Sequence, residues 1–95
     1  MARINAGDIV QHFKRETLAF PSGVDKNLYL YKVLAIAEHT ETNEKLVIYQ
    51  ALYDNESMDV HFNIYAKPYD MFMSKVDKEK YPNINQKYRF ELYAK

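Results

Sequence analysis

The sequence lacks cysteine and tryptophan altogether and has only two glycines and three prolines among its 95 residues. Without cysteine the chain can form neither a disulfide nor a thiolate metal site, which fits a reducing compartment. Gly7 and Gly23 are too far apart for a glycine-rich phosphate-binding loop. No apolar run approaches the roughly 20 residues of a membrane-spanning helix, and the first residues do not resemble a signal peptide. We therefore expect a soluble, cytoplasmic protein with no membrane partner.

The chain also lacks net charge, since 13 basic residues balance 13 acidic ones. It therefore has no overall positive field of the kind that supports non-specific nucleic-acid binding. The two signs are distributed unevenly, with acids in excess between residues 38 and 59 and bases in excess after residue 71. Such blocks usually face water, and complementary ends could also bring two copies together. A monomer and a homodimer are both compatible with this pattern.

Tyrosine is abundant, with nine residues in a chain whose length suits a single domain over residues 1–95. A tyrosine packs like any aromatic residue, but its hydroxyl group needs a hydrogen-bond partner when it is buried. We therefore expect many of these side chains to be half-buried.

Residues 28–53 form two long strand-like runs joined by a polar turn at 40–43. A type I turn followed by Asn43 in the left-handed conformation would close the hairpin with a bulge, because asparagine tolerates positive φ. This register predicts that Ala35 lies opposite Tyr49. The hairpin fixes a β-rich class for the domain.

The predicted register gives the hairpin two apolar faces. We expect the aliphatic face to form a bulky core and the aromatic face, with alanines between tyrosines, to be filled by Met71 and Phe72 of a following helix. Otherwise the aromatic face would stay open for an extended peptide or a planar ligand. The predicted aliphatic face comprises Leu30, Leu34, Ile36, Leu46, Ile48 and Leu52, and the aromatic face comprises Tyr31, Val33, Ala35, Ala37, His39, Val47, Tyr49, Ala51 and Tyr53.

Three further strands are predicted from alternating segments, at 9–14, 60–66 and 87–93. A short helix is predicted at 68–75, because proline suits its first position, and a turn at 21–23. These elements favour a mainly β fold, a small SH3-like β-barrel of about five strands closed by one short helix. The alternative is an open α+β sheet with the helix laid on one face.

Four segments together resemble a family of small bacterial proteins, domain of unknown function 1653. They are VQHFKRE (10–16), YLYKVLAIAEHTETNEKLVIYQALYD (29–54), AKPYDMFMSKVD (66–77) and KYPNINQKYRFE (80–91). Lys67 stands where such proteins often have arginine, and Thr40 where they often have serine. A lysine offers a point charge rather than a two-pronged contact. The resemblance implies a compact domain from a bacterial source and carries no activity with it.

Catalytic and metal chemistry have few candidates in this sequence. His12, His39 and His61, with Glu38 or Glu41, contain zinc-type ligands, but no pair has a characteristic metal-binding spacing. We expect no metal and no cofactor. An acid–base pair of His39 and Glu41 is the remaining route to an enzyme.

Gln50 falls on the predicted aliphatic face, where an unsatisfied amide would cost about 1–3 kcal/mol. It could bond a buried backbone group or serve as a specificity group at the base of a pocket. Lys14, Lys67 and Arg89 could supply cations beside exposed aromatic rings.

Our leading hypothesis is a non-catalytic binding module that recognises a small molecule, a peptide or protein, or single-stranded nucleic acid, and the neutral net charge argues against the last. The alternative is a small hydrolase or metal-dependent enzyme that uses His39 and Glu41. The candidate ligand-binding residues are His12, His39, Glu41, Tyr49, Gln50, Tyr53 and Lys67.

Overall fold

The computed structural model describes residues 4–18 and 25–93. Its strands are β1 (Ile9–His12), β2 (Leu30–Glu38), β3 (Lys45–Ala51), β4 (Asp54–Asn55), β5 (Val60–His61), β6 (Ile64–Pro68) and β7 (Phe90–Leu92). The α-helix α1 spans Tyr69–Phe72, and two 3₁₀ turns span Phe13–Thr17 and Glu56–Met58. No helix in the described ranges has the length and apolar character that crossing a bilayer demands. The turn predicted at 21–23 lies outside the described residues.

Five of the strands form one antiparallel sheet in the order β6-β3-β2-β1-β7, and β4 pairs with β5 alone. The mainly β prediction is therefore confirmed. The large sheet has two edges, β6 and β7, so the described strands form an open sheet, as in the alternative prediction. The predicted helix is present, but it is a single turn that follows Pro68.

The hairpin of β2 and β3 forms as predicted, with Asn43 in the left-handed region at φ 60°. Its predicted register was wrong, because Ala35 lies opposite Ile48 rather than Tyr49. The loop has four residues instead of three, since the backbone N–H of His39 donates to Glu44 at 2.8 Å. A bulge at Leu34 adds a second shift. Both shifts are local features that the spacing of apolar residues does not reveal.

The bulge exchanges the two faces of β2, so that Ala35 and Ala37 lie on the same face as Ile48 and Leu46. The core lies on the tyrosine face of the sheet, and the predicted aliphatic core was wrong. Ile64, on the opposite face, is 61% exposed. The helix and Phe90 of β7 pack on the tyrosine side, whereas the outer face is exposed at Lys32 and Ile64 and buried at Leu30. The buried residues of the main core are Ile4, Val10, Leu28, Tyr31, Val33, Val47, Tyr49, Ala51, Tyr53, Val60, Phe72 and Phe90.

The strand predicted at 60–66 is broken in two at Phe62, whose φ is 55°. The side-chain amide of Gln50 donates to the Phe62 carbonyl at 3.0 Å and holds this kink. Gln50 lies half-buried on the outer face, opposite Lys32 and Ile64. The structural role considered for it was a bond to a buried backbone group, whereas the observed acceptor belongs to Phe62, which is 50% exposed.

The sheet curls until its two edges approach each other. Phe90 of β7 stacks on Phe72 with centroids 4.1 Å apart and meets Tyr49 of β3 at 5.6 Å. From the other edge, the ammonium group of Lys67 on β6 lies 5.9 Å from the centroid of the Phe90 ring. The helix and the segment 73–89 occupy the gap between β6 and β7, which we call the seam.

The segment 73–89 has little regular structure but is firmly held. Gln86 is 6% exposed, and its amide donates to the carbonyls of Gln11 and Tyr88 at 3.1 and 2.8 Å. Glu16 accepts the backbone N–H groups of Asn85 and Gln86 at 2.8 and 2.6 Å. These bonds fix the segment against β1, so the side chains that it presents at the seam are preorganised.

In the core, the hydroxyl groups of Tyr31 and Tyr53 bond each other at 2.6 Å. Replacing Tyr31 by phenylalanine leaves the buried Tyr53 hydroxyl without this partner, so we expect a loss of about 1–3 kcal/mol in unfolding free energy. Tyr31→Phe/Tyr53→Phe should cost less than the sum of the two single changes, because it removes both polar groups. Urea unfolding of the parent, the two single variants and the double variant measures these free energies. Tyr65→Phe is the control, and its stability should lie within about 0.5 kcal/mol of the parent. Strict additivity would contradict the pairing.

Candidate functional site

A concave pocket of about 330 Å³ opens at the seam. A volume of this order lies at the lower end of small-molecule sites. Its lining combines four basic side chains, one carboxylate, one imidazole and two aromatic rings: Lys14, Lys67, Lys80, Arg89, Asp77, His12, Phe13 and Tyr81. The lining therefore has a formal excess of three positive charges when His12 is neutral.

Lys67 reaches the pocket because of its place in the β6 ladder. It lies opposite Val47 of β3, whose side chain is buried in the core. Residues opposite each other in a sheet share a face, so the lysine stem follows the core side. Burial lowers the pKa of Lys67, and the nearby Arg89 lowers it further.

Arg89 and Lys14 are positioned by backbone bonds at the junction of β1 and β7. The Phe13 N–H donates to the Arg89 carbonyl at 3.0 Å, and the Arg89 N–H donates to Ser74 at 2.9 Å. Lys14 lies in the 3₁₀ turn that begins directly after β1. Two cations from distant parts of the sequence thus meet on a rigid frame.

The far wall of the pocket is a tight turn that begins at Asp77. One oxygen of this carboxylate, Oδ1, accepts the N–H groups of Glu79 and Lys80 at 3.0 and 3.4 Å. The Tyr81 N–H donates to the Asp77 carbonyl at 2.9 Å, and the Tyr81 ring packs edge-on against Phe13 at 4.9 Å. The turn therefore holds Lys80 and Tyr81 in place.

His12 is packed among aromatic rings, stacked on Phe13 at 4.4 Å and on Tyr29 at 5.6 Å, with Phe90 edge-on at 5.1 Å. Its Nδ1 accepts the Lys14 N–H at 3.1 Å. The neutral ring consequently carries its proton on Nε2, because the hydrogen bond at one nitrogen fixes the tautomer.

Burial lowers the pKa of His12 to about 4, and the positive charges of Lys14, Lys67 and Arg89 act in the same direction. The ring is therefore neutral at pH 7. Among the described residues, Lys14, Lys67 and Arg89 form no ion pair. The pocket thus concentrates positive charge that no carboxylate of residues 4–18 and 25–93 neutralises in an ion pair.

The seven residues predicted for the site lie in four separate places. His12 and Lys67 line the pocket. Tyr49 and Tyr53 are buried in the core on the tyrosine face, where burial raises the pKa of Tyr49 to about 12 and also raises the pKa of Tyr53. Gln50 lies on the outer face of the sheet. Lys14 and Arg89, named as cations near aromatic rings, both line the pocket.

His39 and Glu41 lie at the tip of the hairpin. The Nδ1 atom of His39 accepts the N–H of Glu41 at 3.1 Å and of Thr42 at 3.4 Å, so it caps the turn. Glu41 is exposed. The two side chains are joined through the backbone of the turn rather than by a bond between imidazole and carboxylate.

His61 is the third histidine and lies by the small β4–β5 pair. Its Nδ1 is 2.6 Å from Asp54, and its Nε2 is 3.3 Å from Asp59. The bond to Asp54 raises the pKa of this exposed histidine. In residues 4–18 and 25–93 no three metal-ligating side chains are arranged to hold an ion.

Sequence reasoning did not identify Asp77, Lys80 and Tyr81 as site residues. The excess of basic residues after position 71 was a signal for Lys80, and no pattern in the sequence indicated Asp77 or Tyr81. That excess does not say which of the bases face one cavity, because the segment 73–89 lacks a repeating pattern from which side-chain directions can be read.

Comparison with known proteins identifies a family. The family model described as "Protein of unknown function (DUF1653)" matches residues 8–92. No curated protein and no solved structure matches the chain. The matched region contains all eight residues that line the pocket.

Proposed function

We propose that this chain, which belongs to the family domain of unknown function 1653, is a non-catalytic module that binds a small anionic ligand in the seam pocket. The observation that carries this proposal is the meeting of Lys14, Lys67, Lys80 and Arg89 around one cavity in a protein with no net charge. Like charges repel, so their concentration costs free energy that a bound anion would offset.

The shape of the site supports a small ligand rather than a polymer. A single-stranded nucleic acid needs a positively charged groove that continues along the surface. Here the cations surround one cavity of about 330 Å³, which suits a metabolite with a phosphate, sulfate or carboxylate group. Charge-assisted hydrogen bonds from lysine and arginine are the strong contacts that proteins use for such groups.

The site also has the rigidity that binding requires. The frame consists of the ends of β1, β6 and β7 with the segment that Gln86 and Glu16 hold in place. Preorganised donors lose little freedom when a ligand binds. The alternative of a hydrolase using His39 and Glu41 has less support, because the Nδ1 of His39 already caps the hairpin turn.

Binding of inorganic phosphate to Lys67→Gln tests the proposal. We expect the affinity to fall about 10-fold, which corresponds to about 1.4 kcal/mol and the loss of one charged contact. The matched control is Lys32→Gln, a lysine that also lies on a sheet strand but is exposed on the outer face. It should bind phosphate as the parent does.

Titration followed by ¹H–¹⁵N NMR measures both the affinity and the location. The amides of Lys14, Lys67 and Arg89 should shift together in the parent protein. Equal weakening by both lysine changes, or shifts scattered over unrelated surfaces, would contradict the proposed site.

A further inference from the structure

We infer that the seam pocket selects fully deprotonated, doubly charged oxyanions, the chemistry of a phosphate monoester in its dianionic form, over anions that keep an acidic proton. This inference rests on the proposed function and names the class of ligand for the same site. Its basis is the inventory of hydrogen-bond donors and acceptors around the cavity.

The basic side chains offer donors only. Lysine and arginine carry no acceptor atom, and the side chains of Lys14, Lys67 and Arg89 donate no hydrogen bond to any residue that the structure describes. Their N–H groups remain available for ligand oxygens. Because these groups only donate, the proton of a P–OH group finds no acceptor among them.

His12 also acts as a donor. Its one acceptor nitrogen, Nδ1, is already used by the Lys14 N–H, which leaves the Nε2–H group for other partners. Nε2 makes no hydrogen bond within the described residues, and no buried side-chain nitrogen or oxygen there lacks a partner. Nε2 is therefore accessible, and His12 lines the cavity. The charged groups around this ring are Lys14, Lys67, Lys80, Arg89 and Asp77, and none of the lysines or the arginine can accept a proton from a ligand.

Asp77 is the one carboxylate in the lining, and one of its oxygens is already engaged by the turn. Its other oxygen and the Tyr81 hydroxyl are the side-chain groups of the lining that remain able to accept. The lining thus has five donating groups and few acceptors. It disfavours a protonated phosphate, because a P–OH group without an acceptor loses a hydrogen bond that water would provide. Two ligand charges also match the excess of positive charge better than one.

Sulfate and methyl phosphate separate this inference from the proposed function. The second pKa of a phosphate monoester is near 6, so its dianion falls about 10-fold between about pH 7.5 and about pH 5, while sulfate stays doubly charged. We expect the apparent affinity for methyl phosphate to fall about 10-fold relative to that for sulfate over this range. His12 stays neutral throughout, because its pKa is about 4.

A constant ratio of the two affinities would overturn the inference and leave anion binding intact. Failure of both ions to bind at either pH would instead overturn the proposed function. Asp77→Asn adds a second readout, since the amide keeps the oxygen that accepts from the turn but removes the negative charge. We expect it to tighten binding of both ions. A selective loss of methyl phosphate binding near pH 5 would mean that the carboxylate accepts a ligand proton, which contradicts the inference.

Discussion

Phe72→Ala is expected to lower the free energy of unfolding by about 3–5 kcal/mol. The side chain is fully buried, lies parallel to Phe90 at a centroid distance of 4.1 Å and meets Tyr49 edge-on at 5.2 Å. Removing it leaves a cavity between the helix, β3 and β7. A domain of this length has a total stability of about 5–14 kcal/mol, so the variant should be close to unfolding.

The neighbouring residue provides the matched control for this prediction. Met71 lies in the same helical turn but is 48% exposed. Met71→Ala should change the stability by about 0.5 kcal/mol or less. Urea unfolding followed by circular dichroism compares the two variants with the parent. Similar losses of stability in both variants would show that the effect comes from changing the helix and not from removing the Phe72 ring from the core.

The acid sensitivity of the fold is expected to depend on His12. Its pKa is about 4 in the folded protein and 6.5 as a free side chain. The unfolded chain therefore binds more protons between these values. The contribution of His12 is fully present above pH 6.5, decreases as the pH falls from 6.5 to about 4, and stays constant below that. The difference in pKa corresponds to at most about 3 kcal/mol.

His12→Asn isolates this effect. Asparagine keeps a side-chain oxygen that can accept the Lys14 N–H, as it does in many helix N-caps, but it does not titrate. His61, whose pKa is also shifted, contributes to the pH dependence of both proteins, so the difference between the two stability curves reports His12. Urea unfolding at intervals across this pH range should show a flatter curve for the variant. Parallel curves would mean that His12 is not held neutral by the fold.

The hairpin was predictable from sequence to the extent that its chemistry is local. Asn43 in the left-handed region follows from the few residues that tolerate positive φ. The register of the hairpin was not predictable, because it depends on the imidazole of His39, which caps a four-residue loop, and on the bulge at Leu34. Both depend on side-chain contacts or small backbone shifts that leave the alternation of apolar residues nearly unchanged.

The choice between the two faces of the hairpin needed the rest of the chain. The aliphatic face is as apolar as the aromatic one, so periodicity alone could not decide which face packs. Phe72 and Phe90, which arrive from α1 and β7, settle the matter by stacking on each other over Tyr49. Nonlocal contacts of this kind are beyond the reach of a single-sequence pattern.

The candidate site was predictable in its ingredients but not in its assembly. Lys14, Lys67 and Arg89 are recognisable as cations near aromatic residues, and His12 as a polar residue on a strand. Their convergence results from the curl that brings β6 and β7 to one pocket. His39 and Glu41 look equally suitable in the sequence, yet they lie at the hairpin tip.

The seam has a mechanical consequence for the whole domain. Backbone hydrogen bonds tie each strand of the large sheet to its neighbour, but none tie β6 to β7 among the described residues. Separating these two edges is therefore the deformation of the sheet that breaks the fewest backbone hydrogen bonds. An anion bound by both Lys67 on β6 and Arg89 next to β7 would link these two edges electrostatically, where the backbone forms no hydrogen bonds between them.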